Sequence, residues 1–161
     1  MKITEADKHA IEIGDSDYIL NKGADLYYEE KYEETVEYYR IASAMCNSHA
    51  TSNLGYCYMY GRGIEKNMDL AIAYFKVAAA DDDIDALYKL GDIYKRGCEN
   101  IQADNDLAIY YFEKALNKIE EYEEIEYRYP SLYLSMAKEY MTNGSKKPDD
   151  KKALEYLLTA K

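Results

Sequence analysis

Apolar residues along this chain fall at helical spacing, and the pattern returns at a fixed interval. Leu54, Cys57 and Tyr58 lie three and four positions apart, and so do Ile72, Phe75 and Ala79. Each set forms one face of an α-helix. Ala50, Leu54, Gly55, Tyr58 and Gly61 recur as Ala86, Leu90, Gly91, Tyr94 and Gly97 at an offset of 36. Asp69, Leu70, Ala71, Ile72, Tyr74, Phe75 and Ala78 recur as Asp106, Leu107, Ala108, Ile109, Tyr111, Phe112 and Ala115 at an offset of 37. The one-residue step places an insertion in the loop between the two halves. A period of about 20–50 residues is the signature of stacked supersecondary units.

The flanks carry the pattern more weakly. Thr35, Val36, Tyr38, Tyr39 and Ala42 stand 36 before Ala71, Ile72, Tyr74, Phe75 and Ala78, while Gly23 stands only 32 before Gly55. The first unit therefore has a shorter internal loop. Ala153, Leu154, Tyr156, Leu157 and Ala160 stand 45 after Ala108, Ile109, Tyr111, Phe112 and Ala115. Met136, Ala137 and Tyr140 stand 46 after Leu90, Gly91 and Tyr94. Within a unit, Gly61 suits a left-handed helix end. Asn67, Asp104 and Asp149 suit N-caps. Gly55 and Ala71 are small where two helices must approach closely. The prediction is an all-α chain of about four helix-turn-helix units, roughly 18–48, 49–84, 85–129 and 130–161, in one helical-repeat domain over 1–161. The third unit has an extended second helix.

The stretch LGxxYxxGxG, then a loop with Asn or Asp, then AIxYFxxAA, resembles the Sel-one-like repeat (SLR), a relative of the tetratricopeptide repeat (TPR). The likeness covers roughly residues 18–161; the first unit, GADLYYEEKYEETVEYYRIA, is closer to a plain TPR. The chain departs from the pattern in three places. Asp81-Asp82-Asp83 replaces the Gly after the second helix, the third unit overruns, and Ala137 stands where Gly is expected. The resemblance implies a right-handed α-α superhelix, an α-solenoid, that binds proteins or peptides and performs no chemistry. Stacked units that cannot bury their faces alone would leave a long concave surface.

Composition narrows the function. Of 161 residues, 31 are acidic and 20 basic, for a formal charge of −11. That argues against nucleic acid, which needs clustered Lys and Arg. No apolar run approaches the about 18 residues of a membrane span or forms a signal peptide. Three cysteines, an odd and sparse count, suit a reducing compartment. The expected location is cytoplasmic, with signal-less export left open. No nucleophile elbow, P-loop, HExxH or dinucleotide fingerprint occurs, so neither an enzyme nor a cofactor is expected.

The candidate partner-binding strip lies on the first helix of each unit. It comprises Tyr27 and Tyr28, then His49, Tyr56, Met59 and Tyr60, then Tyr88, Asp92, Lys95 and Arg96. With 20 tyrosines in the chain, any single one reads as core or half-buried before it reads as a contact; the strip as a whole reads as a binding surface, rigid aromatic area with one basic end. The positions of the TPR clamp for acidic C-termini hold Leu20, Ser52, Tyr88, Ala24, Tyr56 and Asp92, so that clamp is absent. Cys46 and His49 could be half a metal site, but no second pair exists; the expectation is a buried thiol beside a surface imidazole, and no metal. Asp81, Asp82, Asp83 and Asp85 lack the spacing of a calcium loop and read as a helix cap. The overrun LNKIEEYEEIEYRYP is 9 residues longer than its counterpart, a solvated helix end or a projecting acidic and aromatic element. Leu154, Leu157 and Leu158 form an uncapped last helix, for which a homodimer contact is expected. Three functions stand open: an adaptor using the concave face, a structural or self-associating segment, and a secreted bacterial effector acting on host proteins.

Overall fold

The computed structural model describes residues 3–121. The fourth unit, Asp149, the far part of the overrun and the C-terminal leucines lie outside the described residues. Those described form seven α-helices: α1 (Glu5–Ile13), α2 (Ser16–Tyr28), α3 (Tyr32–Ala44), α4 (Ser48–Tyr60), α5 (Met68–Ala80), α6 (Ile84–Arg96) and α7 (Asn105–Glu121). The fold is all-α and built from helix pairs. The chain divides into two compact units, Met1–Asp83 and Ile84–Lys161. In the first, α2 packs on α3 and α4 on α5, with α3 also against α4; in the second, α6 packs on α7.

Local chemistry sets the helix ends where the sequence places them. Gly61 takes φ 69° and closes α4, its N–H reaching the Cys57 carbonyl. Asn67 accepts from the Leu70 N–H at 3.0 Å to start α5, and Asp104 accepts from the Leu107 N–H at 3.0 Å to start α7. Each satisfies a backbone donor that the first turn leaves without a partner. Asn47 caps α4 through the Ala50 N–H, and its amide also donates to Ser16 and Asp17 at 3.2 and 2.9 Å. One side chain thus ties the start of α2 to the start of α4.

The same packing joint appears in three helix pairs. A Cβ on Gly23 would meet the Tyr39 ring at 2.8 Å, one on Gly55 the Phe75 ring at 2.7 Å, and one on Gly91 would overlap the Phe112 ring. Phe75 and Phe112 are fully buried. A ring on the second helix therefore fills the place a side chain would take on the first. A second joint also recurs. Tyr58 stacks on Tyr74 with centroids 5.2 Å apart, and Tyr94 stacks on Tyr111 at 5.6 Å. These pairs are related by the offsets of 36 and 37 read from the sequence.

Two features differ from the sequence reading. Residues 5–13, ahead of the repeat likeness, form α1. Its Asp7 is fully buried; it accepts from Lys22 Nζ at 2.9 Å, the Tyr38 hydroxyl at 2.8 Å and the Thr4 N–H at 2.7 Å. Thr4 and Asp7 complete a capping box. Helix α1 thus covers the end of the first pair through a polar lock that apolar periodicity does not register. The other difference is Cys46. It is exposed, not buried, and lies between α3 and α4 at φ 64°. The turn needs a left-handed residue there, and its counterpart 36 residues on, Asp82, has φ 59°. A thiol in that turn points away from the core.

Candidate functional site: an aromatic cleft in the first unit

Helix α2 contributes Ala24, Tyr27 and Tyr28 to a cleft of about 280 Å³; α4 contributes Asn53 and Tyr56, and α3 contributes Tyr39. The helical spacing that buries Gly23 and Gly55 turns these neighbouring positions outward. Tyr28 is 85% exposed and Tyr60, one turn beyond Tyr56, is 56% exposed. Tyr56 is fixed from below by an edge contact with Phe75 at 5.0 Å and from the side by stacking on Tyr60 at 6.3 Å. Tyr27 meets Tyr28 and Tyr32 edge-on at 6.4 and 5.3 Å. These rings are held by other rings, so a partner would find them already ordered.

One flank of the cleft is cationic. The Arg62 guanidinium lies over three rings, 5.1 Å from Tyr27, 5.6 Å from Tyr32 and 5.6 Å from Tyr60. Arg62 sits between Gly61 and Gly63 in the α4–α5 loop. Gly63 has φ 68°, and a Cβ there would overlap the Tyr32 carbonyl and come 2.7 Å from the Glu33 N–H nitrogen. Only glycine lets the loop backbone lie on the start of α3, and that contact delivers Arg62 to the rings.

The strip read from the sequence is realised unevenly. Tyr27, Tyr28, Tyr56 and Tyr60 gather around the cleft and its cationic flank. Met59 is buried at 8% exposure, a correction to its place on the binding face; it shares a helix face with Ser52 and Gly55, seven and four positions earlier, which are also buried. His49 is exposed, with Nδ1 3.4 Å from the buried Asp83 carboxylate. It does not share a helix with Cys46. In the second unit Tyr88 is half-buried and tilts against Phe112 at 5.8 Å. Asp92 takes Arg96 Nε at 2.9 Å and lies 3.9 Å from Lys89 Nζ. The predicted basic end is therefore partly neutralised within its own helix. Sequence reasoning missed Arg62, Tyr32, Tyr39 and Asn53; only the two glycines around Arg62 signalled its loop.

Burial pushes the Tyr39 phenol far above its ordinary range and the Cys57 thiol up to about 11. Both stay neutral near pH 7, and neither is an activated nucleophile. What remains on offer is flat aromatic area, hydroxyls, the Asn53 amide and a fixed guanidinium.

Comparison with known proteins gives a consistent answer. The Sel1 repeat family model matches residues 10–45, 48–83, 84–118 and 133–161. A sel1-like repeat-containing protein of Acanthamoeba polyphaga mimivirus is 35% identical over 71 residues, 44% of this chain and 13% of that protein. Chitin synthase regulatory factor 2 of Schizosaccharomyces pombe is 28% identical over 102 residues, 63% of this chain and 20% of its own length. An ERAD-associated E3 ubiquitin-protein ligase component of Arabidopsis thaliana is 30% identical over 88 residues, 55% of this chain and 14% of its own. The chain thus spans a fifth or less of these relatives. Among solved structures, a Sel1 repeat protein from Oxalobacter formigenes superposes with TM-score 0.77 at 22% identity, covering 92% of this chain and 58% of that one. A protective antigen of uropathogenic Escherichia coli strains with an SLR fold gives TM-score 0.61 at 18% identity, covering 95% and 39%. These likenesses establish the fold, and with the family model matching most of its length, the chain belongs to the Sel1 repeat family.

Proposed function

We propose that this protein is a non-catalytic interaction scaffold that takes a protein or extended peptide into the aromatic cleft of its first unit. The observation that carries the reading is the pair of large rings left in water, Tyr28 and Tyr60, on either side of pre-ordered Tyr27 and Tyr56. Rigid tyrosines give up little side-chain freedom on contact, so more of their burial appears as affinity. Two relatives are named for roles beside another protein, one as a regulatory factor of chitin synthase and one as a component of an E3 ligase. The same reading assigns the scaffold to a reducing compartment such as the cytoplasm, where the free thiols Cys46, Cys57 and Cys98 persist.

Affinity purification from the native cell tests it, comparing the unaltered chain with a Tyr28→Ala, Tyr56→Ala, Tyr60→Ala variant. The variant should keep its helical circular dichroism, because no altered ring is fully buried. It should lose the proteins that the unaltered chain retains. Retention of the same proteins by a folded variant sinks the cleft as the site. Recovery of only a second copy of the chain would point to self-association instead.

A further inference from the structure

Arg62 differs from three other cations on this unit. Lys22 is paired with Asp7, Lys31 with Glu29 and Arg40 with Glu37. Arg62 has three aromatic faces around it and no carboxylate within 4.0 Å among the described residues. This occurs in a chain with 31 acidic residues, and with Glu33 and Glu34 beside the neighbouring Gly63. The rings surround the guanidinium carbon without accepting its hydrogen bonds, and no ion pair of the described residues takes its N–H groups, which leaves them to donate. Tyr27 belongs both to this cage and to the cleft, and Tyr60 is stacked on the cleft's Tyr56. Apolar cleft and uncompensated fork are thus one continuous surface.

We infer that the cleft selects an extended peptide segment that places an apolar or aromatic side chain among Tyr27, Tyr28 and Tyr56 and an Asp or Glu side chain on Arg62. The inference rests on the scaffold reading and specifies its ligand. A planar guanidinium matches a carboxylate with two parallel hydrogen bonds. A side-chain carboxylate fits better than a chain terminus. Capture of a terminus uses clustered backbone N–H groups. Here the Arg62 N–H itself, like that of Gly61, is engaged on the Cys57 carbonyl, so the residue that carries the fork adds no backbone donor to such a cluster. The nearby glutamates weaken any long-range pull on anions, so selection arises at contact, where the fork and the cleft must be matched together.

A phage library of random linear dodecapeptides, with no free peptide C-terminus, is selected on the full chain. The expected consensus pairs an apolar or aromatic residue with Asp or Glu a few positions away. An enriched peptide is then made with a fluorescent label, both as selected and with its acid changed to the amide. Anisotropy titrations against the unaltered chain, Arg62→Gln and Arg62→Lys complete a cycle. The acid-to-amide change should weaken binding about tenfold to the unaltered chain and leave Arg62→Gln unaffected. Arg62→Lys should recover only part of the difference, because it keeps the charge and loses the fork. Equal binding of the amide peptide to the unaltered chain and Arg62→Gln shows that the cleft survives the substitution. A consensus without an acid, or an acid whose effect persists in Arg62→Gln, overturns the inference while leaving the scaffold reading intact. Preference for a synthetic peptide's free C-terminus over an internal acid also overturns it. Failure to enrich any peptide that Tyr28→Ala and Tyr56→Ala weaken overturns both.

Discussion

Replacing Gly55 by alanine sets two effects of known sign against each other. Alanine is favoured over glycine inside a helix by about 1 kcal/mol. In isolation the substitution in α4 would stabilise. But the added Cβ would stand 2.7, 2.8 and 3.0 Å from three atoms of the Phe75 ring. Favourable carbon–carbon contact needs about 3.5–4.0 Å, so the ring would have to withdraw by about 1 Å. Phe75 has no exposed surface and Tyr56 lies against it with centroids 5.0 Å apart, so it has no open space to enter. Overpacking of this kind costs about 1–3 kcal/mol. The net expectation is a loss of about 0–2 kcal/mol, the difference of the two contributions.

The double-mutant cycle gives the sharper test. Phe75→Leu alone should cost about 1–3 kcal/mol by deleting part of a buried ring. In that background the space beside Gly55 is relieved, and Gly55→Ala should become stabilising by up to about 1 kcal/mol. Urea unfolding of the full chain, followed by far-ultraviolet circular dichroism, measures all four variants. The predicted signature is a reversal of sign, with a coupling energy of about 1–3 kcal/mol. If Gly55→Ala stabilises equally in both backgrounds, the ring does not occupy the glycine's space and the packing joint is misassigned. Gly91 against Phe112 should behave in the same way, and leucine at either glycine should loosen or unfold its helix pair.

Two further outcomes concern the ends of the helices. Asp7→Asn should destabilise the chain by about 1–3 kcal/mol, because the amide carries no charge and keeps only one acceptor oxygen where Lys22 bonds to one carboxylate oxygen and Tyr38 and Thr4 to the other. Burial alone would raise the Asp7 pKa, but hydrogen bonds from Lys22, Thr4 and Tyr38 outweigh it and hold the carboxyl well below its usual range. Its folded pKa lies below the unfolded value of about 3.9, so its contribution is complete above that pH and fades as pH falls. The gap in urea midpoint between the unaltered chain and Asp7→Asn should therefore be constant from pH 7 to 5 and narrow progressively below about pH 4; a pH-independent gap would mean that the carboxylate is not held ionised. Cys46→Gly should raise the urea midpoint by an equivalent of about 0.5–1 kcal/mol, since φ 64° is strained for a residue with a Cβ. A decrease would show that the thiol makes a contact worth more than the strain.

What the sequence made legible was whatever repeats. Gly55 and Gly91, Tyr58 and Tyr94, and Phe75 and Phe112 are related by offsets of 36, 36 and 37, and the structure gives both members of each pair the same contact. A repeated packing problem has a repeated solution, so self-similarity reveals both helices and joints before any coordinate is known. Residues used once carry no such signal. Asp7 meets partners 15 and 31 positions away, and nothing local separates it from a solvated aspartate on an amphipathic helix. Arg62 is hidden differently. It sits in a loop, where helical periodicity does not apply, and its counterpart 36 residues on is Cys98. The basic residues that periodicity does pick out, Lys95 and Arg96, lie on a helix with Asp92 one turn before Arg96, and that spacing pairs Arg96 with Asp92. Helical spacing thus tends to join a cation to its own acid. A cation free to meet a partner's acid is better sought off the repeat, between glycines that fix its backbone and among rings that surround it without neutralising it.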